Sequence, residues 1–329
     1  MMLSVVCPIY NEEKYIKGCI ESIIAQDYPK DNLEVLFVDG MSGDTTRAIV
    51  VEYSKIYPYI KLLDNPKRVV PSAMNIGIRA ARGEIIIRLD AHASYCKDYF
   101  SVLVKRLIEL NADNIGVVCK TDVLNKTSKT LAIREILGNE FGVGNSTFRT
   151  GIDKIQKVDT VPFGCWRSDV FQKYGFYDER LIRNQDIELN KRIVRGHGKI
   201  YIIPDTYCTY YARETFKALA KNNYGNGLWN ILTVFYTRQV DSLSVRHFVP
   251  LFFLLSLLLP LVGSFWWGPL VWLSVLSVIL YLVVLGYVSF SIARRKKLNF
   301  IYLLSCFITL HLSYGWGSLV GIFKLPFLK

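Results

Sequence analysis

The chain has no CxxC pair, no internal repeat, no low-complexity tract and, at its start, none of the parts of a secretory signal. Its seven cysteines (Cys7, Cys19, Cys96, Cys119, Cys165, Cys208 and Cys306) are scattered. That excludes a zinc framework and a disulfide scaffold, and leaves reduced, packed thiols as the expected state. The opening "MMLSVVCPIY" lacks a basic region, an apolar stretch and a small-residue cleavage site. The first part of the chain is therefore expected to stay in the cytoplasm.

Acidic residues are the minority charge, 28 Asp and Glu against 40 Lys and Arg, for a net charge of +12 over 329 residues. A basic chain can meet nucleic acid or an anionic membrane surface. Here the basic residues recur beside an apolar tail, at Arg213, Lys217, Lys221, Arg238 and Arg246, then in "ARRKK" ending at Lys297. Membrane lipids are the expected partner, and nucleic acid is not.

Hydrophobic residues make up 51% of the chain and are unevenly spread, nearly continuous from His247 onward. The segments 248–266 and 270–292 are each close to the ~20 residues that span a bilayer. A "WGP" break separates them, and Trp266, Trp267 and Trp272 suit an interfacial belt. The positive-inside rule places "ARRKK", and with it the N-terminal part, in the cytoplasm. A third segment, 300–323, is interrupted by His311, Ser313, Tyr314, Gly315 and Gly317, so it either spans or lies partly in the interface. Residues 213–239 mix basic with aromatic and aliphatic side chains, which fits amphipathic helices on the membrane surface or core-facing helices. The expected organisation is a catalytic domain over 1–212, interfacial helices over 213–246 and a membrane domain over 247–329.

The first part alternates apolar runs with helical spacing. "LSVVCPIY", "LEVLFVDG", "IKLLDNP" and "EIIIRLDA" read as strands, with helices between them and Pro71 near one helix start. That alternation predicts an α/β fold with a mostly parallel central sheet.

Three acidic places stand at the ends of these runs. In "VLFVDGMSGDTT", Asp39 ends a strand, where an acid can accept hydrogen bonds from a base or ribose; Ser42 and Asp44 follow in a turn. Asp44 either shares that role or caps the next helix. In "GEIIIRLDAHASY", Asp90 and His92 sit one residue apart at a strand end. A carboxylate and an imidazole can hold a divalent ion, manganese in preference to magnesium, against a diphosphate. Lys67, Arg68 and Arg88 can add to the neutralisation, or simply be solvated. In "LIRNQDIELNKR", Asn184 can cap a helix with Asp186 in its first turn and Glu188 close behind. Asp186 is then either a good helix start or a general base for an acceptor hydroxyl.

Taken in order, "VVCPIYNEEKYI", "VDGMSGDTT", "AMNIGIRAARGEIIIRLDAH", "GFYDERLIRNQDIELNKR" and the apolar tail resemble the family 2 glycosyltransferases, which have the GT-A fold. The chain is most similar to the succinoglycan-type exopolysaccharide glucosyltransferases, which carry "DAHA" in place of the usual Asp-x-Asp and have counterparts of "GVGNSTFRTG", "VDTVPFG" and "RNQD". The resemblance implies that Pro8, Tyr10, Glu12, Asp39, Ser42 and Arg68 surround a UDP-sugar, glucose being the subgroup's sugar. It implies that Asp90 meets the sugar nucleotide and metal, His92 ligates the metal and Asp186 is the catalytic base. Phe163, Gly164, Trp166 and Gln185 fall on the acceptor side, Gln185 standing where most members have Glu. The Gln-x-x-Arg-Trp motif of processive synthases is absent, "YGNGLW" standing near its place, so one sugar per visit is expected. The implied reaction is an inverting displacement onto a polyprenyl-diphosphate-linked glycan at the cytoplasmic face of a bacterial inner membrane. Transfer to polyprenyl phosphate itself, or nucleotide-sugar binding without turnover, are the competing readings.

Overall fold

The computed structural model describes residues 1–144, 146–239 and 245–328, with only the backbone of Val245 and Arg246. Asn145 of the "GVGNST" loop, residues 240–244 of the expected interfacial segment, the Arg246 side chain and Lys329 lie outside the described residues. The chain divides into two compact units, Met1–Lys120 with Thr147–Tyr211, and Thr121–Ser146 with Ala212–Lys329. A segment inside the expected 1–212 domain thus packs with the C-terminal helices.

In chain order the elements begin β1 (Leu3–Ile9), α1 (Ile16–Ile24), β2 (Leu33–Asp39), α2 (Thr46–Ile56), β3 (Ile60–Asp64), α3 (Val70–Ala80), β4 (Ile85–Arg88) and β5 (Ala93–Tyr95). Next come α4 (Tyr99–Glu109), β6 (Asn114–Asp122), α5 (Ser128–Leu137), α6 (Glu140–Val143), α7 (Thr147–Thr150), β7 (Gln156–Lys157) and β8 (Cys165–Arg167). The rest are α8 (Val170–Tyr174), α9 (Gln185–Arg195), β9 (Ile200–Tyr211), α10 (Phe216–Thr237), α11 (Val249–Gly263), α12 (Val271–Lys296) and α13 (Phe300–Lys324).

Among the described residues the first unit holds one sheet in the order β3-β2-β1-β4-β8-β6-β9-β5, with β7 paired to β9. The strands read from the apolar runs, β1 to β4, are parallel to one another. From β8 outward, β8 with β4 and β6, and β9 with β5 and β7, pair antiparallel, so the sheet is mixed. The parallel register aligns the polar strand ends, Ile9 beside Asp39 and Asp39 beside Asp64, with Arg88 beside Val6. Core forms on both faces. One face is packed by Ile16, Cys19, Ile20 and Ile23 of α1, a stripe at helical spacing. The other is packed by Met74 and Ile78 of α3 with Leu189 and Ile193 of α9.

In the second unit α5, α12 and α13 share a core of aliphatic residues around Phe307 and Leu310. Residues Gly268–Lys296 and Phe300–Phe327 each form a helical stretch long and apolar enough to cross a membrane by length and composition. The third apolar segment is thus one continuous helix through its polar residues. Within the expected interfacial segment, Phe216–Thr237 form the helix α10, whose face of Leu219, Asn223, Gly227 and Asn230 is buried. That face packs on α13, where a Cβ on Gly227 would come 1.9 Å from the Tyr314 carbonyl oxygen. Protein, not lipid, covers this side of α10.

Candidate active site

The carboxyl ends of β1, β2 and β4 open onto a cleft of about 110 Å3. Pro8, Tyr10, Glu12, Arg68, Asp90 and His92 all line it, together with Gly40, Asn65 and Arg88. This is where ligands of open α/β sheets bind. Backbone strain gathers in the loops of this unit that carry the expected site residues. Asn11, Met41, Arg68, Phe163 and Asn184 all take positive φ, from 53° to 61°. Such conformations cost of order 1–3 kcal/mol each and persist where the surroundings over-determine them.

The Asp90 backbone is clamped by one hydroxyl. Its N–H donates to Tyr95 Oη at 2.8 Å, and the same hydroxyl donates back to the Asp90 carbonyl at 3.0 Å. The Asp90 carboxylate accepts from Arg88 Nε and Nη2 at 3.3 and 3.2 Å. Arg88 is only 5% exposed. Burial opposes its charge, but the fields of Asp90, Tyr177 and Asp186 outweigh that and raise its pKa. One guanidinium thus senses both strand-end Asp90 and helix-start Asp186. Among the described residues, the buried Trp166 Nε1 and Gln185 Oε1 have no hydrogen-bond partner.

His92 Nδ1 lies 3.1 Å from Glu12 Oε1. Its ring also meets Tyr210 edge-on at 5.0 Å and Tyr15 at 6.2 Å. Sequence reasoning missed this aromatic surround, which the pairing of β5 with the far strand β9 supplies, the Tyr211 N–H donating to the His92 carbonyl at 2.9 Å. The donor set fits a divalent ion. A carboxylate and an imidazole line one cleft, and an outer carboxylate fixes the imidazole as is usual for metal-binding histidines. No group of three or more His, Cys, Asp or Glu that could hold a metal occurs among the described residues, so phosphate oxygens or water would complete the shell.

The other expected residues are placed as follows. Asp39 is fully buried, and its carboxylate accepts from Ser42 N at 3.1 Å, Ser42 Oγ at 2.6 Å and Arg47 Nη1 at 3.1 Å. Together Asp39 and Ser42 shape the loop under Tyr10, where a Cβ on Gly40 would sit 3.1 Å from the Tyr10 ring. Asp44 accepts from the Thr46 and Glu13 N–H groups, which lower its pKa against a desolvation cost; it holds two loops together. Lys67 pairs with Glu179 at 2.6 Å.

Phe163 and Trp166 are buried, Trp166 against Phe171 and Tyr177. They form the floor beneath Gly164, whose carbonyl accepts from Arg88 N–H at 3.0 Å. Gly164 has φ of 107°, and a Cβ there would lie 2.3 Å from the Trp166 ring, so only glycine fits. Asp186 stands in the first turn of α9 behind Asn184, where the helix dipole favours an anion. Glu188, close behind, is spent on Arg192 at 2.7 and 2.8 Å. That leaves Asp186 as the acid of this turn not committed to an ion pair with Arg192.

An acid and an imidazole thus line a cleft at the ends of parallel strands, with a further acid in the first turn of α9. The family description "Glycosyl transferase family 2" matches residues 4–175, just over half the chain, and the chain belongs to this family. It is similar to the dolichyl N-acetyl-alpha-D-glucosaminyl phosphate 3-beta-D-2,3-diacetamido-2,3-dideoxy-beta-D-glucuronosyltransferase of Methanococcus voltae, 29% identical over 71% of this chain and 77% of that one. It is likewise similar to the succinoglycan biosynthesis protein ExoA of Rhizobium meliloti, 29% identical over 75% of this chain and 74% of the relative. The mannosyltransferase PcManGT of Pyrobaculum calidifontis, solved with GDP-Man and Mn2+, superposes with a TM-score of 0.56 at 17% identity, covering 95% of this chain and 87% of that one. At that identity the likeness shows the shared GT-A-like fold.

Proposed function

We propose that this transferase moves a sugar, glucose first among the candidates, from a UDP-sugar to a hydroxyl of a polyprenyl-diphosphate-linked glycan, with inversion, at the cytoplasmic face of a plasma membrane. One observation supports the reading: Tyr10, Glu12, Arg68, Arg88, Asp90 and His92 line one cleft at the carboxyl ends of the parallel strands. In this reading Asp186, in the first turn of α9, stands on the acceptor side of that cleft. Asp186 takes the proton of the acceptor hydroxyl as its oxygen bonds to the anomeric carbon, and the bond from that carbon to the diphosphate breaks with its electron pair. Arg68 and Arg88 supply fixed positive charge beside the departing group, which costs no reorganisation during reaction. Asp90 and His92 would hold a divalent ion, manganese favoured, whose charge offsets the developing negative charge of the diphosphate.

The acceptor class draws on the relatives, one named for a dolichyl-linked substrate and the other for succinoglycan biosynthesis. The test is transfer by the purified chain to a lipid-linked oligosaccharide. The Asp186→Asn variant is expected to lose roughly 10²–10⁴-fold in kcat while still binding donor. Equal turnover in variant and wild type would remove Asp186 as the base. A sugar monophosphate lipid as product, in place of an extended glycan, would overturn the acceptor.

A further inference from the structure

The second unit holds a half-open pocket of about 520 Å3, within the range of small-ligand sites. Its wall draws on Phe141 of α6, Pro250 and Phe253 of α11, Tyr281 and Val284 of α12, and Leu310 of α13. The wall is mostly apolar, with Glu140, His247 and His311 as its titratable members, and some of its polar groups are paired. Tyr281 Oη lies 3.1 Å from His311 Nδ1, His311 Nε2 lies 2.8 Å from the Phe141 carbonyl, and Asn230 Nδ2 donates to Tyr314 Oη at 2.5 Å. What the interior offers is hydrocarbon and the stacked rings of Phe253 and Tyr281, 4.0 Å apart.

Loose packing does not explain the gap. At its edge α11 and α13 touch so closely that a Cβ on Gly315 would sit 2.4 Å from the Pro250 carbonyl oxygen, the close approach small residues give membrane helices. A void with no atoms to contact forfeits the dispersion energy of its whole lining. The cavity edge includes Val249 and Val284, which are 56% and 50% exposed. Val284 lies in the helix most open to a surrounding bilayer, with 11% of its apolar window buried against 39% for the other candidate span.

We propose that this cavity holds the isoprenoid chain of the lipid-linked acceptor, an inference that rests on the acceptor class proposed above. A bilayer lipid filling space between membrane helices would need only those helices for its walls. Here one wall is α6, carried on the Thr121–Ser146 segment that leaves the first unit between β6 and α7.

The test uses the full chain in phosphatidylcholine nanodiscs with a diazirine-bearing polyprenyl phosphate, and a diazirine-bearing phosphatidylcholine as control. Labelling by the prenyl probe alone, mapped to residues 249–253 and 281–285, is the expected result. Val284→Trp should reduce that labelling and raise KM for a long-chain acceptor about tenfold, the equivalent of ~1.4 kcal/mol. Its KM for a short-chain acceptor should not change, which also shows that the variant folds. Labelling elsewhere, equal labelling by phosphatidylcholine, or KM values insensitive to Val284→Trp would each overturn the proposal. If wild type transferred sugar to neither acceptor, the acceptor reading itself would fall, whatever the labelling showed.

Discussion

His92 and Glu12 are 80 residues apart in the chain and 3.1 Å apart in space. The Glu12 carboxylate, expected beside the sugar nucleotide, lines the cleft and reaches the imidazole, and its own loop is pinned by the Glu12 N–H donating to Thr46 Oγ1 at 2.7 Å. A carboxylate on Nδ1 fixes ring orientation and raises ligand basicity, and losing such a partner typically costs 10–100-fold in metal affinity. Glu12→Gln is therefore expected to raise the manganese concentration needed for half-maximal transfer by about 10–100-fold. His92→Ala should abolish the response to added manganese, with circular dichroism unchanged in both variants. If manganese titrations of His92→Ala and wild type coincide, the imidazole is no ligand.

At the scale of elements, α9 matters most, because its first turn carries Asp186 and the rest of it must hold that turn still. The anchor is Asn190, 1% exposed. Its side chain accepts from Asn114 Nδ2 at 2.7 Å and donates to Thr160 Oγ1 and the Val161 carbonyl at 3.0 Å each. Asn114 Oδ1 in turn accepts the Cys165 N–H at 3.1 Å, so β6, β8 and α9 share one buried network. Replacing Asn190 by Leu strands several buried polar groups, at roughly 1–3 kcal/mol per group. The expected result is a clear fall in melting temperature, with kcat reduced more than donor KM because only the acceptor side is disturbed. A Leu variant as stable as wild type would show that the network anchors nothing.

Asn114 and Asn190 also show where sequence reading stops. The parallel strands were legible because each is an apolar run ending in a polar residue, a pattern that survives without partners. Helix α9 was legible from its first-turn acids and the amphipathic residues behind them. By contrast, β5 and β8 have three residues each and pair with strands far along the chain. Nothing local marks them, so neither the aromatic surround of His92 nor the floor under Gly164 could be read in advance. The capping box of α5, Thr127 with Thr130, carries no acid at the third helical position and was overlooked with the whole Thr121–Ser146 insertion.

At the scale of the whole molecule, the tail bears on the membrane attachment proposed above. Helices α11 and α12 run antiparallel, since Ser274 Oγ bonds the Leu257 carbonyl at 2.7 Å while Tyr281 stacks on Phe253. Their connection exposes Phe265, Trp266 and Trp267 at 87%, 83% and 63%. An antiparallel pair returns to the side it left, so the start of α11 and the basic end of α12 (Arg294, Arg295, Lys296) share a side. If the pair spans a bilayer, the positive-inside rule predicts that this side is cytoplasmic. At 1.5 Å per residue, the 15 residues of α11 cover ~22 Å of a ~30 Å hydrocarbon core, so the exposed aromatic turn extends its reach toward the far interface. Attachment through such a hairpin would be hydrophobic rather than electrostatic. Cell membranes carrying the chain should therefore keep it through high salt and alkaline carbonate and release it only to detergent. A reporter fused after Lys297 should read as cytoplasmic. Release by salt would mean that the basic residues, not the hairpin, hold the protein to the membrane, and a reporter read on the outer side would invert the tail.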